Sequence, residues 1–266
     1  MTDKAGIPPH ELTALVTGGS SGIGAALVAE LEARGLRVYS VARSADKLAQ
    51  QAEKTGSRVV PVVADVATPA GWQKVAEAVS APLDFLVHNA GTLDPVVPVE
   101  SLSLDGFRQN FSTNTESVLF LTQKLLPVLR QPGARILAVS SGAAFRAIPG
   151  WAAYCTAKAA MNMVIQVFEA EWATARGIRS ALVRPGVVDT PMQAHIRAQD
   201  AQNFPLVEKF RALKSDNALA SPAEVAKFMA DILLCTRDED FARTLWDFYE
   251  KEELAHKMAY CHRKSR

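Results

Sequence analysis

Cysteine is scarce: Cys155, Cys235 and Cys261 are the only three in 266 residues, and no two form a Cys-x-x-Cys pair. That spacing argues against a zinc site and a disulfide framework, and for a reducing compartment. Excess charge is lacking too, with 29 lysines and arginines against 28 aspartates and glutamates, a formal +1. Nucleic acid and anionic membrane surfaces therefore have no electrostatic case as partners. No apolar run approaches the ~18 residues of a membrane span. The opening MTDKAGIPPHE lacks the basic-then-apolar layout of a secretory signal, so a cytoplasmic location is expected. Glycine and proline, at 15 and 14, are too ordinary for a collagen-like or low-complexity chain. What is present is 48% hydrophobic and 21% charged, the balance of a globular protein. Neither a repeat nor a linker interrupts it. One domain over 1–266 is expected, with an extension over 1–10 and a charged tail over 250–266.

The apolar segments alternate between two kinds. Short β-branched runs stand at Leu12–Val16, Arg37–Val41, Val59–Ala64, Phe85–His88, Arg135–Ser140 and Ile178–Val183. Helical periodicity fills the intervals at Ile23–Arg34, Ala45–Lys54, Pro69–Val79, Thr113–Arg130 and Ala152–Arg176. Near-continuous apolar strands separated by helices predict an α/β fold, a doubly wound parallel sheet of about seven strands with helices on both faces. Gly35 and Gly177 stand where C-cap glycines belong. Beyond Val183 the pattern loosens into a polar, proline-interrupted stretch, and 190–217 is expected to be a substrate loop over the sheet. Helical periodicity returns at Ala223–Leu234, behind a Ser221-Pro222 start, and a last strand is expected over Thr244–Phe248.

The first strand runs into Thr17-Gly18-Gly19-Ser20-Ser21-Gly22-Ile23-Gly24, and then a helix opens. Glycines there let the backbone turn tightly and approach a pyrophosphate, and the helix start adds free N–H groups and a positive dipole end. The second strand ends Val41-Ala42-Arg43-Ser44, with no carboxylate to accept from a ribose 2′-hydroxyl. Arg43 suits a 2′-phosphate, which favours NADP over NAD; the competing reading is a surface arginine beside a helix start. Further on, Tyr154-Cys155-Thr156-Ala157-Lys158 opens the long helix, and residues four apart share a face. A cation beside the phenol is expected to lower its pKa and make Tyr154 a general acid or base. Ser140 and Ser141 both close the fifth strand, at the end of a parallel sheet where ligands bind.

The TGxxxGxG turn and the YxxxK pair together resemble the short-chain dehydrogenase/reductase family, and the resemblance covers roughly residues 12–250. It implies catalytic roles for Asn114, Ser141, Tyr154 and Lys158. Its spacing selects Ser141, thirteen residues before Tyr154, over Ser140, while Asn110 competes with Asn114. It also implies that Gly18, Ser20, Ser21, Gly22, Ile23 and Gly24 cradle the pyrophosphate, and that Asp65 and Val66 meet the adenine. Asn89, Ala90 and Gly91 would line the cofactor bed, and Pro185, Gly186, Val188, Thr190 and Met192 the nicotinamide end, with Tyr154 and Lys158 on its ribose. His88 is read as structural.

Within the family, Gly150-Trp151-Ala152-Ala153-Tyr154, Asp189-Thr190-Pro191-Met192-Gln193 and Trp246-Asp247-Phe248-Tyr249 are similar to the sepiapterin reductases. That similarity implies an NADPH-dependent reduction of a pterin side-chain ketone, with Asp247 accepting from the amino-pyrimidinone edge and Ser141, Trp151, Tyr154 and Gln193 completing the substrate site. Asp247 as a plain strand-end acid, and Trp151 as core, are the competing readings. A vicinal diketone, as bacterial-type benzil reductases take, is the alternative substrate. A non-catalytic NADP-binding sensor is the alternative class. No metal is implied, and a homodimer or homotetramer on the helices over 113–130 and 152–176 is expected.

Overall fold

The computed structural model describes residues 11–242 and 245–252. The first half alternates strictly: β1 (Thr13–Thr17), α1 (Gly22–Ala33), β2 (Arg37–Ala42), α2 (Ala45–Lys54), β3 (Val59–Val63), α3 (Pro69–Ala78) and β4 (Phe85–His88). There follow α4 (Leu104–Phe111), a single π-helical turn over Ser112–Glu116, α5 (Ser117–Leu125) and β5 (Arg135–Val139). The remainder is α6 (Ala152–Arg176), β6 (Arg179–Arg184), α7 (Pro191–Arg197), α8 (Val207–Ser215), α9 (Pro222–Cys235), the four-residue α10 (Asp238–Phe241) and the two-residue β7 (Trp246–Asp247). The seven strands are all parallel, in the order β3-β2-β1-β4-β5-β6-β7. The order reverses between β1 and β4, and a crevice opens beyond the carboxyl ends of those strands.

The helices cover both faces because the strands are apolar on both. Leu27, Val28 and Leu31 of α1 join Val225, Met229 and Ile232 of α9 over one face. Val75 of α3, Leu121 of α5, and Met161 and Ile165 of α6 cover the other. Each such buried aliphatic side chain contributes on the order of 1.5–3 kcal/mol, so the sheet is fixed by its two coats rather than by its edges. A third, smaller cluster stands apart at one end, and it contains Leu93, Trp151, Tyr154, Phe204 and Val207.

Local signals set the boundaries. Gly177 ends α6 in the left-handed region at φ 64°, as a C-cap glycine should. Ser221 and Glu224 form a complete capping box at the start of α9, with Pro222 in its first turn. Three expectations are corrected. The helix expected over 113–130 begins at Leu104, where Ser103 caps it by accepting from Gly106 N at 3.1 Å, and it passes through the π turn. The expected substrate loop over 190–217 carries two helices, α7 and α8, whose apolar positions are too few to show periodicity. The last strand is shorter than expected, and Thr244 lies outside the described residues, as do 1–10 and 253–266.

Cys155 is a free thiol, and Cys235 is disulfide-bonded. Among the described residues no helix is long and apolar enough to cross a membrane, and no cluster of side chains could hold a metal ion.

Candidate active site

The β1–α1 turn forms one wall of the crevice. Gly18 and Gly22 adopt φ +66° and +53°, the left-handed region that disfavours side chains. A Cβ on Gly18 would stand 2.9 Å from both Ala90 Cα and Asn89 Nδ2, so the turn and the end of β4 approach as closely as backbone allows. Asn89 holds them together, donating from Nδ2 to the carbonyls of Thr17 at 3.0 Å and Gly18 at 3.2 Å. The N-terminus of α1 has no side-chain cap and no acidic residue in its first turn. Its N–H groups and dipole are thus left for an anion, and a phosphate is the group such a terminus fits.

Two joined cavities make up the crevice, about 830 and 590 Å³. Gly18, Ser21, Arg43, Ala90 and Gly91 border both of them. Ser20, Asp65 and Val66 border the smaller cavity, and Asp65 Oδ1 accepts from Ala67 N at 3.0 Å. Gly22, Ile23, Asn89, Pro185, Gly186, Val188, Thr190 and Met192 border the larger. Gly24 borders neither. A Cβ there would lie within 2.5 Å of the Gly18 carbonyl and the Asn89 amide, so its smallness serves packing. Lys47, which the sequence reading passed over, stands with Arg43 and Ser44 around the smaller cavity. An Arg followed four residues later by a Lys at a helix start was the available signal.

The larger cavity reaches the carboxyl ends of β5 and β6. Ser141, Tyr154 and Lys158 all line it. Tyr154 and Lys158 lie one turn apart on α6, both buried, with the ammonium 5.8 Å from the ring centroid. Lys158 Nζ donates to the Val139 carbonyl at 2.9 Å. Ser141 hydrogen-bonds the Tyr154 phenol and also accepts from Ala143 N at 3.2 Å. Ser140 is occupied elsewhere, donating to Asn162 Oδ1 at 2.8 Å.

The expected electrostatics of this pair is corrected. Burial pushes the Tyr154 phenol up to about 12, against a smaller downward pull from the Ser141 hydrogen bond. Burial also brings Lys158 down to about 8. Desolvation opposes the charged form of both groups and sets the direction of both shifts. The phenol is consequently a held proton donor. His88 is structural as expected: its Nε2 lies 2.7 Å from Thr122 Oγ1, and burial with the nearby Lys158 charge brings it down to about 3.

Asn114 sits in the π turn, fully buried and off the cavity surface. Its Nδ2 donates to the carbonyls of Thr92 at 2.8 Å and Asn110 at 3.0 Å, and its Oδ1 accepts from Thr92 N at 3.3 Å. A Cβ on Gly91 would meet that same Oδ1 at 2.9 Å and Lys158 Nζ at 3.7 Å, so glycine alone lets amide and ammonium flank this point. Asn110 braces the loop instead, donating to Thr92 and Asp94 carbonyls.

Trp151 and Gln193 line the larger cavity, but Asp247 does not. Its carboxylate is paired with Arg184 and caps the following turn, accepting from Tyr249 N at 3.1 Å. The pairing comes from the arginine that ends β6, which stands between the Asp247 carboxylate and the cavity wall residues. Tyr249 was missed: its hydroxyl accepts from Val187 N at 3.0 Å and it lines the cavity beside Gly186. His195 of α7 and Asp94, 2.7 Å apart, span the rim of the same cavity from two walls.

A family model described as short chain dehydrogenase matches residues 12–201, from β1 through α7. The chain belongs to the short-chain dehydrogenase/reductase family. Its similarity to other members runs nearly end to end. An uncharacterised oxidoreductase of Schizosaccharomyces pombe is 35% identical over 84% of this chain and 91% of its own. A benzil reductase ((S)-benzoin forming) of Bacillus cereus is 31% identical over 82% of this chain and 92% of its own. The crystal structure of a Saccharomyces cerevisiae short-chain dehydrogenase/reductase superposes with a TM-score of 0.85, at 30% identity, covering 93% of this chain and 99% of that one. Short-chain dehydrogenase/reductases are oxidoreductases acting on alcohol or carbonyl groups with a nicotinamide dinucleotide. The crevice fits such a cofactor at both ends, with an uncapped helix terminus beside Gly18 and a glycine-lined floor beside Lys158.

Proposed function

We propose that the protein is an NADPH-dependent carbonyl reductase acting on compact aromatic ketones, vicinal diketones foremost. NADPH, when bound, supplies the hydride that converts C=O to CH–OH and leaves as NADP⁺. The chain's own groups orient the carbonyl and deliver the proton. Ser141 donates to the carbonyl oxygen, and Tyr154, protonated because burial holds its pKa at about 12, transfers its proton to the developing alkoxide. Lys158 would stabilise the phenolate left behind and hold the nicotinamide ribose, while the Asn114 amide oxygen and the lysine ammonium flank Gly91. Arg43, with Lys47 beside it, pairs with the 2′-phosphate.

The observation that carries the proposal is the convergence of Ser141, Tyr154 and Lys158 on one cavity wall. Leu93, Phe145, Ile148, Ile196 and Phe210 line the same cavity and favour an aromatic substrate. The similarity to a benzil reductase agrees with that preference. A panel of carbonyl compounds followed by NADPH absorbance, with NADH in parallel, tests it. Oxidation of NADPH by benzil in preference to aliphatic ketones is expected. Cofactor binding with no turnover across the panel would instead favour a non-catalytic sensor.

A pterin side-chain ketone is the second reading. In its favour, Arg184 lines the cavity, so the Asp247 carboxylate stands directly behind the wall. Asp247→Ala should lower sepiapterin and benzil turnover equally if the acid only braces β7; selective loss on sepiapterin would establish the pterin anchor. The proposed assembly is a homodimer or homotetramer through α5 and α6, which leave Leu119, Phe120, Met163 and Val167 exposed. The proposed setting is the cytoplasm, and the Cys235 disulfide is the observation against it.

A further inference from the structure

The ladder between β6 and β7 is only two residues long, with Val183 beside Trp246 and Arg184 beside Asp247. Beyond it both chains turn, β6 into Pro185-Gly186-Val187 and β7 into a single 3₁₀ turn over Phe248–Glu250. Asp247 fixes that second turn twice, pairing with Arg184 and accepting from Tyr249 N at 3.1 Å. The turn sets the Tyr249 ring against Gly186. A Cβ on Gly186, whose φ is +75°, would stand 2.7 Å from the ring carbon Cζ and 2.9 Å from the hydroxyl oxygen. Only glycine admits so close an approach.

The Tyr249 hydroxyl accepts from Val187 N at 3.0 Å. The Val187 carbonyl in turn accepts from Ala220 N at 3.0 Å, and Asp189 N donates to the Ala220 carbonyl at 2.9 Å. The segment is thus gripped by a hydroxyl and by Ala220. Of the amides of Val187, Val188 and Asp189, that of Val188 alone has no partner among the described residues. Backbone donors are seldom left unmet, so an unmet one on a cavity wall marks a place for an acceptor. Val188 lines the larger cavity together with Gly186, Tyr249, Tyr154 and Lys158. A nicotinamide brings an acceptor of the right kind in its carboxamide oxygen.

We infer that Tyr249 is a positioning residue for the nicotinamide, holding the Gly186–Val188 backbone so that the Val188 N–H meets the carboxamide. The inference rests on the NADPH reading above and concerns one end of that dinucleotide. Tyr249 acts through the backbone. With its hydroxyl gone, Val187 N loses its acceptor and the segment keeps only its Ala220 side. A segment that must be ordered at the moment of binding costs affinity that a held one does not. The α1 start and Arg43, which serve phosphates, are untouched. A ligand that ends before the nicotinamide is therefore blind to Tyr249.

2′-Phospho-ADP-ribose is such a ligand, with every phosphate and both riboses of NADPH but no nicotinamide. Tyr249→Phe removes one hydroxyl from an exposed side chain and keeps the ring beside Gly186. By calorimetry it should raise the NADPH Kd about three- to tenfold, the worth of one neutral hydrogen bond. The Kd of 2′-phospho-ADP-ribose should stay within about twofold. Tyr249→Leu, which also withdraws the ring, should likewise weaken NADPH and spare the fragment. A tyrosine that merely supports the fold would weaken both ligands alike or neither. Either result overturns the inference and leaves the NADPH reading intact. Where the wild-type protein binds NADH instead, NADH and ADP-ribose are the pair to compare, and only the 2′-phosphate reading fails. A wild-type protein that binds none of the four overturns the inference together with the cofactor reading.

Discussion

The two halves of the crevice are built from different materials. The cofactor half is made mainly of backbone: Gly18 and Gly22 at positive φ, the uncapped start of α1, and Asn89 tying β4 to the turn. The substrate half is made of side chains from well-separated elements: Trp151 just before α6 and Tyr154 on it, Gln193 on α7, Phe204 before α8, and Phe210 within it. A backbone site tolerates almost no added volume, because there is nothing flexible to move. A side-chain site tolerates substitution, and responds by changing which substrate it prefers.

Tyr154→Phe gives the largest expected effect and the sharpest division between the halves. Ketone reduction should fall by about 10²–10⁴-fold, the usual worth of a positioned proton donor, while the NADPH Kd measured by fluorescence titration stays within about twofold. Gly18→Ala is the converse. A methyl in the left-handed region and against Ala90 should cost about 1–3 kcal/mol. The Kd of NADPH would then rise on the order of ten- to a hundredfold. Unchanged cofactor affinity would show that the turn is slack, and the contrast between the halves would fail.

Arg43→Ala is expected to act more mildly and on one cofactor only. The KM for NADPH should rise about tenfold, as for loss of a charge-assisted hydrogen bond, while the KM for NADH is unchanged. An equal rise for both would return Arg43 to the protein surface. The smallest effect is in pH dependence. Tyr154 stays protonated to about 12, so the kcat/KM for reduction should be level near neutrality and decline as Lys158 loses its proton near pH 8. The sign follows from the lysine: it is a cation below that value and neutral above it. Lys158→Arg should shift the decline to higher pH, because a guanidinium does not titrate there.

The cofactor half was legible in the sequence because backbone sites need glycines at fixed spacing, and spacing survives in a linear string. The sheet and its helices were legible for a related reason: Ala45–Lys54, Phe85–His88 and Ala152–Arg176 carry regular apolar periods, and their bounds agree with the structure. The substrate half was not, because α7 and α8 bury few residues and because Phe204 and Phe210 gain meaning only beside Trp151. The direction of the Tyr154 shift was misread for a physical reason. Sequence places the ammonium one turn away, but burial, the largest cause of the shift, is not written in the spacing of two residues. The pairing of Asp247 was hidden for a related reason, since Arg184 lies sixty-three positions earlier in the chain.

The π turn over Ser112–Glu116 makes chain length itself a determinant of chemistry. Such a turn accommodates one residue more than a regular helix would. Excising a single residue there would let the segment close into a regular α-helix, with α4 and α5 keeping their phase and no atom of the crevice directly removed. The wide turn that carries Asn114 would be lost, and exchanging helices between relatives would succeed only when both spliced segments carry the extra residue or both lack it.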